Sequence, residues 1–416
     1  MKPSEFGERL AFLYDVRFLI LVFLLLTSTI AYSASLEWDE GSFLQNAEYF
    51  SGEGSNFEES RPASLSYLIS ALWLFTGESA FAARILVSLF GAGCILVFHR
   101  IASKEFEDSL PVTAVFAFSP LLVYWSAHAY TDVPALLLIL GSFYFYQRDR
   151  HFLSGALISL AATVRYIFLV FAFGMGFAYL VDHREKLFDL VAGGFSGSVP
   201  LLAYSKIYYG GFFSRITMYL TRVSKWSDSG LMSSVAPGIF SGVYTLSAMI
   251  PGMYPGWRKS SAVEKSMVAV YSLFIVFISG NAYDRYWLAI LPFVLLIAYR
   301  GLDTKIFYLV SAIMIVVSGI GVASDGLTHQ RCSPPLDDAL DYSAQLEGEF
   351  VSDNWAIAGY RLDQPVSSPW NDLESLREGE GIDYAVMSSE EPYGVVKSFS
   401  NNCRTYYIYN LSDPSM

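Results

Sequence analysis

Residues 152–186 read FLSGALISLAATVRYIFLVFAFGMGFAYLVDHREK, and the first thirty of them hold a single charge, Arg165. About 20 apolar residues cross a bilayer as a helix, so the run reads either as one long span or as two short ones, 152–164 and 166–181. The flanking charges decide between them. A single helix would carry Arg184/Lys186 to the face opposite Arg148/Arg150 and invert every later loop, against the tendency of Lys and Arg to stay cytoplasmic. Two spans keep the basic clusters together and put the turn Thr163-Val164-Arg165-Tyr166 at the other face. An ionisable residue at membrane depth is a functional candidate by default, with a snorkelling Arg as the plain alternative.

Further apolar stretches lie at 17–35, 79–99, 109–126, 133–147, 187–207, 236–254, 266–281, 286–299 and 306–323, about eleven spans in all. The first is read as a retained anchor rather than a signal peptide, because many spans follow it. Lys2, Arg9 and Arg17 precede it, and alternate connections carry Arg100/Lys104, Arg148/Arg150, Arg184/Lys186, Arg258/Lys259/Lys265 and Arg300/Lys305. These mark the cytoplasmic side. The N-terminus is therefore expected inside and residues 325–416 outside. Composition agrees: over 416 residues, 53% are hydrophobic and only 16% charged, with a mean hydropathy of +0.39, where soluble domains carry about a quarter charged residues.

The sequence thus predicts an all-α polytopic membrane domain, 1–324, followed by a small extracytoplasmic α/β domain, 325–416. Short β-rich runs, Ile382–Met387 and Tyr406–Tyr409, mark the latter. The outer loop 36–78 is expected to form two juxtamembrane helices on the membrane surface. Phe43, Leu44, Ala47 and Phe50 recur behind Trp38-Asp39-Glu40, and Leu65, Leu68, Ile69, Leu72 and Trp73 follow Pro62. A third amphipathic stretch after Tyr208-Tyr209 bears Arg215, Arg222 and Lys225. Of three cysteines, Cys94 falls within a span, and Cys332 and Cys403 are expected to form a disulfide on the oxidising side.

Net charge is −12, and the tail from Asp325 holds about 16 acids against about 5 bases, which argues against nucleic acid as a partner. That acidity suits either a salty environment or an acceptor-binding surface. Asp39, Glu40, Arg61, Asp132, Arg165 and the Asp284-Arg285-Tyr286 run converge on the outer face from separate parts of the chain. Each alone has a bland reading, as a helix cap or a headgroup anchor. Together, carboxylates and arginines on one membrane face suit a reaction on an anionic lipid. A lipid phosphate leaving a sugar is held by arginine forks, and an incoming hydroxyl needs a base such as Asp.

At these residues the sequence resembles the GT-C membrane glycosyltransferases, in particular the branch with protein O-mannosyltransferases and the lipid A aminoarabinose transferase. Trp38-Asp39-Glu40-Gly41 looks like that family's first-loop Asp-Glu motif. Arg61-Pro62-Ala63-Ser64-Leu65-Ser66-Tyr67-Leu68 is similar to its Lys-Pro-Pro-Leu-x-Tyr-Trp segment, with Leu72–Ser79 and Ala82-Ala83-Arg84-Ile85 following at the expected distance. Tyr130-Thr131-Asp132-Val133-Pro134 resembles the next acidic loop. Leu160–Tyr166 is similar to a segment where relatives carry Leu-Thr-Lys-Gly, and Asp284–Pro292 to the Arg-Tyr…Pro run that opens a late helix. Arg61 and Arg165 stand where relatives often carry Lys, and the double proline is reduced to Pro62-Ala63.

The resemblance implies an inverting transfer of one sugar from a polyprenyl (dolichyl) phosphate donor to a protein, glycan or lipid acceptor at the outer face of the cell membrane. Asp39 would be the general base, Glu40 would orient the loop or the acceptor, and Asp132 would support the acceptor or share the base role. Arg61, Arg165, Arg285 and Tyr286 would hold the leaving phosphate, with Arg215, Arg222 and Lys225 as a looser basic rim. No cofactor is expected. His128 and Asp132, four apart, together with Asp39 leave a divalent ion as the alternative. The rival from another class is a transporter or lipid flippase, which usually shows repeats and broken midplane helices; the sequence shows neither.

Overall fold

The computed structural model describes residues 15–54, 57–59, 61–218, 221, 246, 249–277, 285–332, 334–364, 366–367, 373, 381–401 and 403–411. In chain order its helices are α1 (Val16–Ser33), α2 (Trp38–Ser51), α3 (Ala63–Thr76), α4 (Ala80–Glu105), α5 (Leu110–Ala117), α6 (Pro120–Ser126), α7 (Asp132–Tyr146), α8 (His151–Val164), α9 (Leu169–Asp182) and α10 (Leu187–Tyr209). There follow α11 (Ile250–Lys259), α12 (Ala262–Phe277), a single turn Arg285–Leu288, α13 (Leu291–Gly301), α14 (Thr304–Cys332), α15 (Pro334–Ser343) and α16 (Trp355–Leu362). Five short strands, β1 (Phe350–Ser352), β2 (Val366–Ser367), β3 (Tyr384–Met387), β4 (Gly394–Ser400) and β5 (Thr405–Asn410), lie near the C-terminus. Among the described residues four helices, Val16–Ser33, Ala80–Glu105, Arg184–Tyr209 and Thr304–Gly321, are long and apolar enough to cross a bilayer, with shorter apolar helices beside them. The chain is a multi-pass membrane protein. Most of the expected 236–254 span lies outside the described residues.

The chain divides into two compact units, one of 1–27, 87–126 and 131–319, the other of 28–86, 127–130 and 320–416. In the first unit, the 152–181 run breaks where the loop charges place the turn. The α8 helix stops at Val164, Arg165 is extended (φ −144°, ψ 106°), and a 3-10 turn, Tyr166–Phe168, leads into α9. The expected span 109–126 is also broken, into α5 and α6. Pro120 lacks an N–H and disfavours helical geometry at Ser119, and the Phe118 carbonyl accepts from Ser318 Oγ at 2.8 Å. Helices α8 and α10 meet backbone to backbone: Gly193 and Gly197 lie where a Cβ would overlap the Phe152 and Ala156 carbonyls. This is the close approach that a small-xxx-small spacing permits between apolar helices.

In the second unit, α2 differs from the expected surface helix. All ten residues from Asp39 to Glu48 are buried, polar Ser42, Gln45 and Asn46 included. A Cβ on Gly41 would stand 2.5 Å from the Ala356 carbonyl oxygen, so α16 covers one side at backbone distance. On another side α3 packs, with Phe50 stacked on Tyr67 at 3.8 Å and Ser66 Oγ donating to the Phe43 carbonyl at 2.8 Å. The α3 helix turns Leu65, Ile69 and Trp73 inward and leaves Leu68, Leu74 and Phe75 exposed, as a helix facing lipid does.

The C-terminal strands form one sheet in the order β2-β1-β3-β5-β4. Strands β2, β1 and β3 run parallel, and β5 pairs antiparallel with β3 and β4. Alternate residues serve opposite faces: Phe350, Val386, Tyr406 and Ile408 pack with Ala339, Leu340, Ile357 and Ala358, whereas Val351, Ala385, Met387 and Tyr409 pack with Leu373, Ile382 and Leu411. The small C-terminal sheet with its packed helices is as expected. Cys403 is disulfide-bonded and Cys94 is a buried free thiol; the Cys332 side chain lies outside the described residues.

Candidate functional site

The acidic motif opens α2. Glu37 occupies the cap position, and its backbone N–H donates to Glu40 Oε2 at 3.1 Å, so Asp39 is not needed as a cap. Asp39 instead meets Arg61, with Nη2 2.5 Å from Oδ1. Arg61 is brought there by its loop. Asn46, fully buried, clamps Glu58 from both sides: Nδ2 donates to the Glu58 carbonyl at 3.0 Å, and the Glu58 N–H donates to Oδ1 at 2.6 Å. Beyond Arg61, Pro62 starts α3. The Arg61 guanidinium also lies 5.5 Å from the centre of the Trp38 ring, which packs edge-on against Trp355.

Glu40, one residue on, has a different environment. It is completely buried and accepts from Arg84 Nε and Nη2, each at 2.7 Å, and from the Ala129 N–H at 2.8 Å. Burial alone would raise its pKa, but the Arg84 charge and hydrogen bonds prevail and hold the carboxyl below its usual range. With its oxygens occupied in this way, Glu40 is a fixed anion of the framework rather than a base. Its partner Arg84 went without a role in the sequence reading. The available signal was an arginine in the first turn of an otherwise apolar span, an expensive placement unless a carboxylate meets it. His128 is buried near Glu40. Among the described residues no group of three His, Cys, Asp or Glu side chains could hold a metal ion.

In the first unit, Asp132 begins α7 and is 1% exposed. Arg165, presented by the extended break after α8, places Nη1 2.9 Å from Asp132 Oδ2 and 3.1 Å from Thr131 Oγ1. Its guanidinium lies 5.4 Å from the Tyr286 ring centre, and the Arg285 guanidinium lies 5.7 Å from the same ring and 5.6 Å from Trp125. One tyrosine ring thus contacts two arginines, and the ring quadrupole stabilises both charges. Arg215 is not the loose rim expected. It is 3% exposed, donates from Nε to Tyr166 Oη at 3.0 Å, and lies against the rings of Tyr166 and Tyr209. Asp284, Arg222 and Lys225 lie outside the described residues.

The arrangement within each unit pairs a carboxylate with an arginine near the end of an apolar segment. Neither a family model nor a curated protein matches the chain. Among solved structures, however, ArnT from Cupriavidus metallidurans bound to undecaprenyl phosphate matches with a TM-score of 0.64, covering 95% of this chain and 98% of that one at 13% identity. The fold is that of ArnT. The apo structure of the same ArnT agrees, with a TM-score of 0.65 at 12% identity over 94% of this chain and 97% of the other. The expected architecture, helices first and a small α/β unit last, is therefore met across nearly the whole length of ArnT.

Proposed function

We propose that the protein is a glycosyltransferase that moves one sugar from a polyprenyl phosphate to an acceptor hydroxyl at the extracytoplasmic face, with inversion at the anomeric carbon. The observation that carries this reading is the likeness, over almost the whole chain, to an ArnT whose crystals hold undecaprenyl phosphate. The arginines support it. A phosphate released with the electrons of the broken anomeric C–O bond carries its charge at once, and needs guanidinium forks rather than an acid. Arg165 and Arg285, joined through Tyr286, supply that pair.

The acceptor oxygen forms the new bond to the anomeric carbon and gives its proton to a carboxylate. Asp39 takes that role, since Glu40 is saturated by Arg84 and Ala129. Asp132 supports the acceptor side, and Glu40 positions Asp39 by fixing the first turn of α2. The N-terminus lies in the cytoplasm and the sheet domain outside, following the positions of the basic loops.

The test offers the purified protein a panel of undecaprenyl- and dolichyl-phosphate sugars and measures the free polyprenyl phosphate released with and without candidate acceptors. Release from at least one donor is expected. Release from none, with the protein folded, would overturn the reading in favour of transport.

A further inference from the structure

The second unit holds a cavity of about 820 Å³ that the acidic motif does not line. One wall is the last turn of α1 with the first turn of α4, represented by Tyr32, Phe81 and Arg84; the other comes from the sheet domain and its helices, with Asp337, Asn354, Arg361 and Arg404. Because α1 and α4 are spans, this end of them is where bilayer meets water. The volume falls in the range of about 300–1,000 Å³ that encloses small ligands.

The charges of the lining are already compensated. Arg84 gives every guanidinium N–H to protein, two to Glu40 and three to the carbonyls of Ala31, Ala34 and Ser35. Arg361 lies 2.7 Å from Asp341 and 3.7 Å from Asp337. Arg404 and Glu78, both exposed, are of opposite sign. An anionic headgroup therefore finds little net positive charge, and a lipid tail would face a polar wall. What the lining offers is hydrogen bonding in both senses, with Asn354 Nδ2 3.4 Å from Tyr406 Oη. It also offers aromatic surface: Tyr32 is 84% exposed and stands edge-on to Phe81 at 6.2 Å. Hydroxyl-rich rings with apolar C–H faces match both features.

We infer that this cavity binds a neutral glycan, the acceptor onto which the sugar is placed. The inference rests on the glycosyl-transfer reading for the word acceptor, but the binding itself does not. Arg84 links the two: it lies in the cavity wall and grips Glu40, the neighbour of Asp39. A glycan seated there is separated by the Arg84 side chain from the turn that carries the base.

The experiment is saturation-transfer NMR on the full chain in phosphatidylcholine nanodiscs, without donor. The probes are neutral trisaccharides (maltotriose, mannotriose and chitotriose), an uncharged Ser/Thr-rich peptide, and the headgroup of added phosphatidylglycerol. At least one trisaccharide is expected to bind, about tenfold more weakly in Tyr32→Ala and in Arg404→Ala, two exposed positions whose truncation leaves the core intact. Phe75→Ala, exposed outside the cavity, should bind as wild type. Binding of no trisaccharide, equal binding by all variants, or preference for the peptide or the lipid headgroup would each overturn the assignment. Glycan binding without polyprenyl phosphate release would leave the cavity standing and remove the glycosyl-transfer reading; release without glycan binding would do the reverse.

Discussion

Arg84 donates two hydrogen bonds of 2.7 Å to the Glu40 carboxylate, and its three remaining N–H groups go to carbonyls where α1 ends. The pair ties the start of α4 to the start of α2 in one desolvated knot. Breaking a buried pair from one side leaves an uncompensated charge, which costs about 3–5 kcal/mol. Arg84→Met is therefore expected to lower the thermal midpoint in detergent markedly, followed by tryptophan fluorescence. Adding Glu40→Gln to Arg84→Met should recover part of that loss. A single variant as stable as wild type would show that the pair does not hold the two helices together.

Two carboxyls of α2 respond to pH in opposite senses. Glu40 is held below its ordinary pKa, so its contribution is present above the unfolded value of about 4.3 and is lost as pH falls through the lower folded value. Glu48 is pushed up to about 9 by burial, then by its hydrogen bond with Glu78 and by the charges of Glu78, Asp363 and Glu53. Its contribution is complete below the unfolded value and declines as pH rises towards 9. Glu48→Gln is expected to raise the thermal midpoint at pH 8 and to change it little at pH 4. Equal shifts at both pH values would contradict the assignment.

Gly41 and Asn46 place the ion pair of Asp39 with Arg61. A Cβ at Gly41 would meet the Ala356 carbonyl oxygen at 2.5 Å and the Ile357 nitrogen at 2.9 Å, both backbone. Gly41→Ala should destabilise the unit by about 1–3 kcal/mol, as overpacking does. Asn46→Ala removes both bonds to Glu58 and loosens Arg61. It should depress release of polyprenyl phosphate more than Asn46→Asp, which retains the acceptor oxygen; the two variants assayed side by side decide this.

Arg165 and Arg285 share the Tyr286 ring. Lysine in place of either keeps the charge but loses the planar fork and its stacking. Arg165→Lys and Arg285→Lys are each expected to lower kcat/KM at least about tenfold, a loss of about 1.4 kcal/mol in the transition state. If the loss lay wholly in KM, the arginines would bind donor and leaving phosphate equally.

Much of this was legible in the sequence because it depends on local pattern. The break at Arg165 followed from loop charges on either side of one apolar run, and the α/β tail from strand alternation and turn residues. What was not legible depends on long-range packing. The apolar residues of α2 predicted a helix with one wet face, but α16, more than three hundred residues away in sequence, covers it at backbone distance through Gly41. The split between α5 and α6 is signalled by Pro120, yet a proline within an apolar run is equally compatible with a kinked continuous span. Arg84 looked like one charge in a span until the chain brought Glu40 onto it. Arg215 sits on an amphipathic pattern that suggests a solvent-facing cation, and only the rings of Tyr166 and Tyr209 reveal that it is buried.

The role proposed for Asp39 is removal of the acceptor proton. Wild type and Asp39→Asn are compared for release of polyprenyl phosphate from whichever donor the wild type accepts, with thermal midpoints measured on the same preparations. A fall of at least about a hundredfold, the lower end of what a positioned base contributes, with the folded protein retained, is the predicted result. Equal release by the two proteins would contradict it and leave Asp39 as only the structural partner of Arg61.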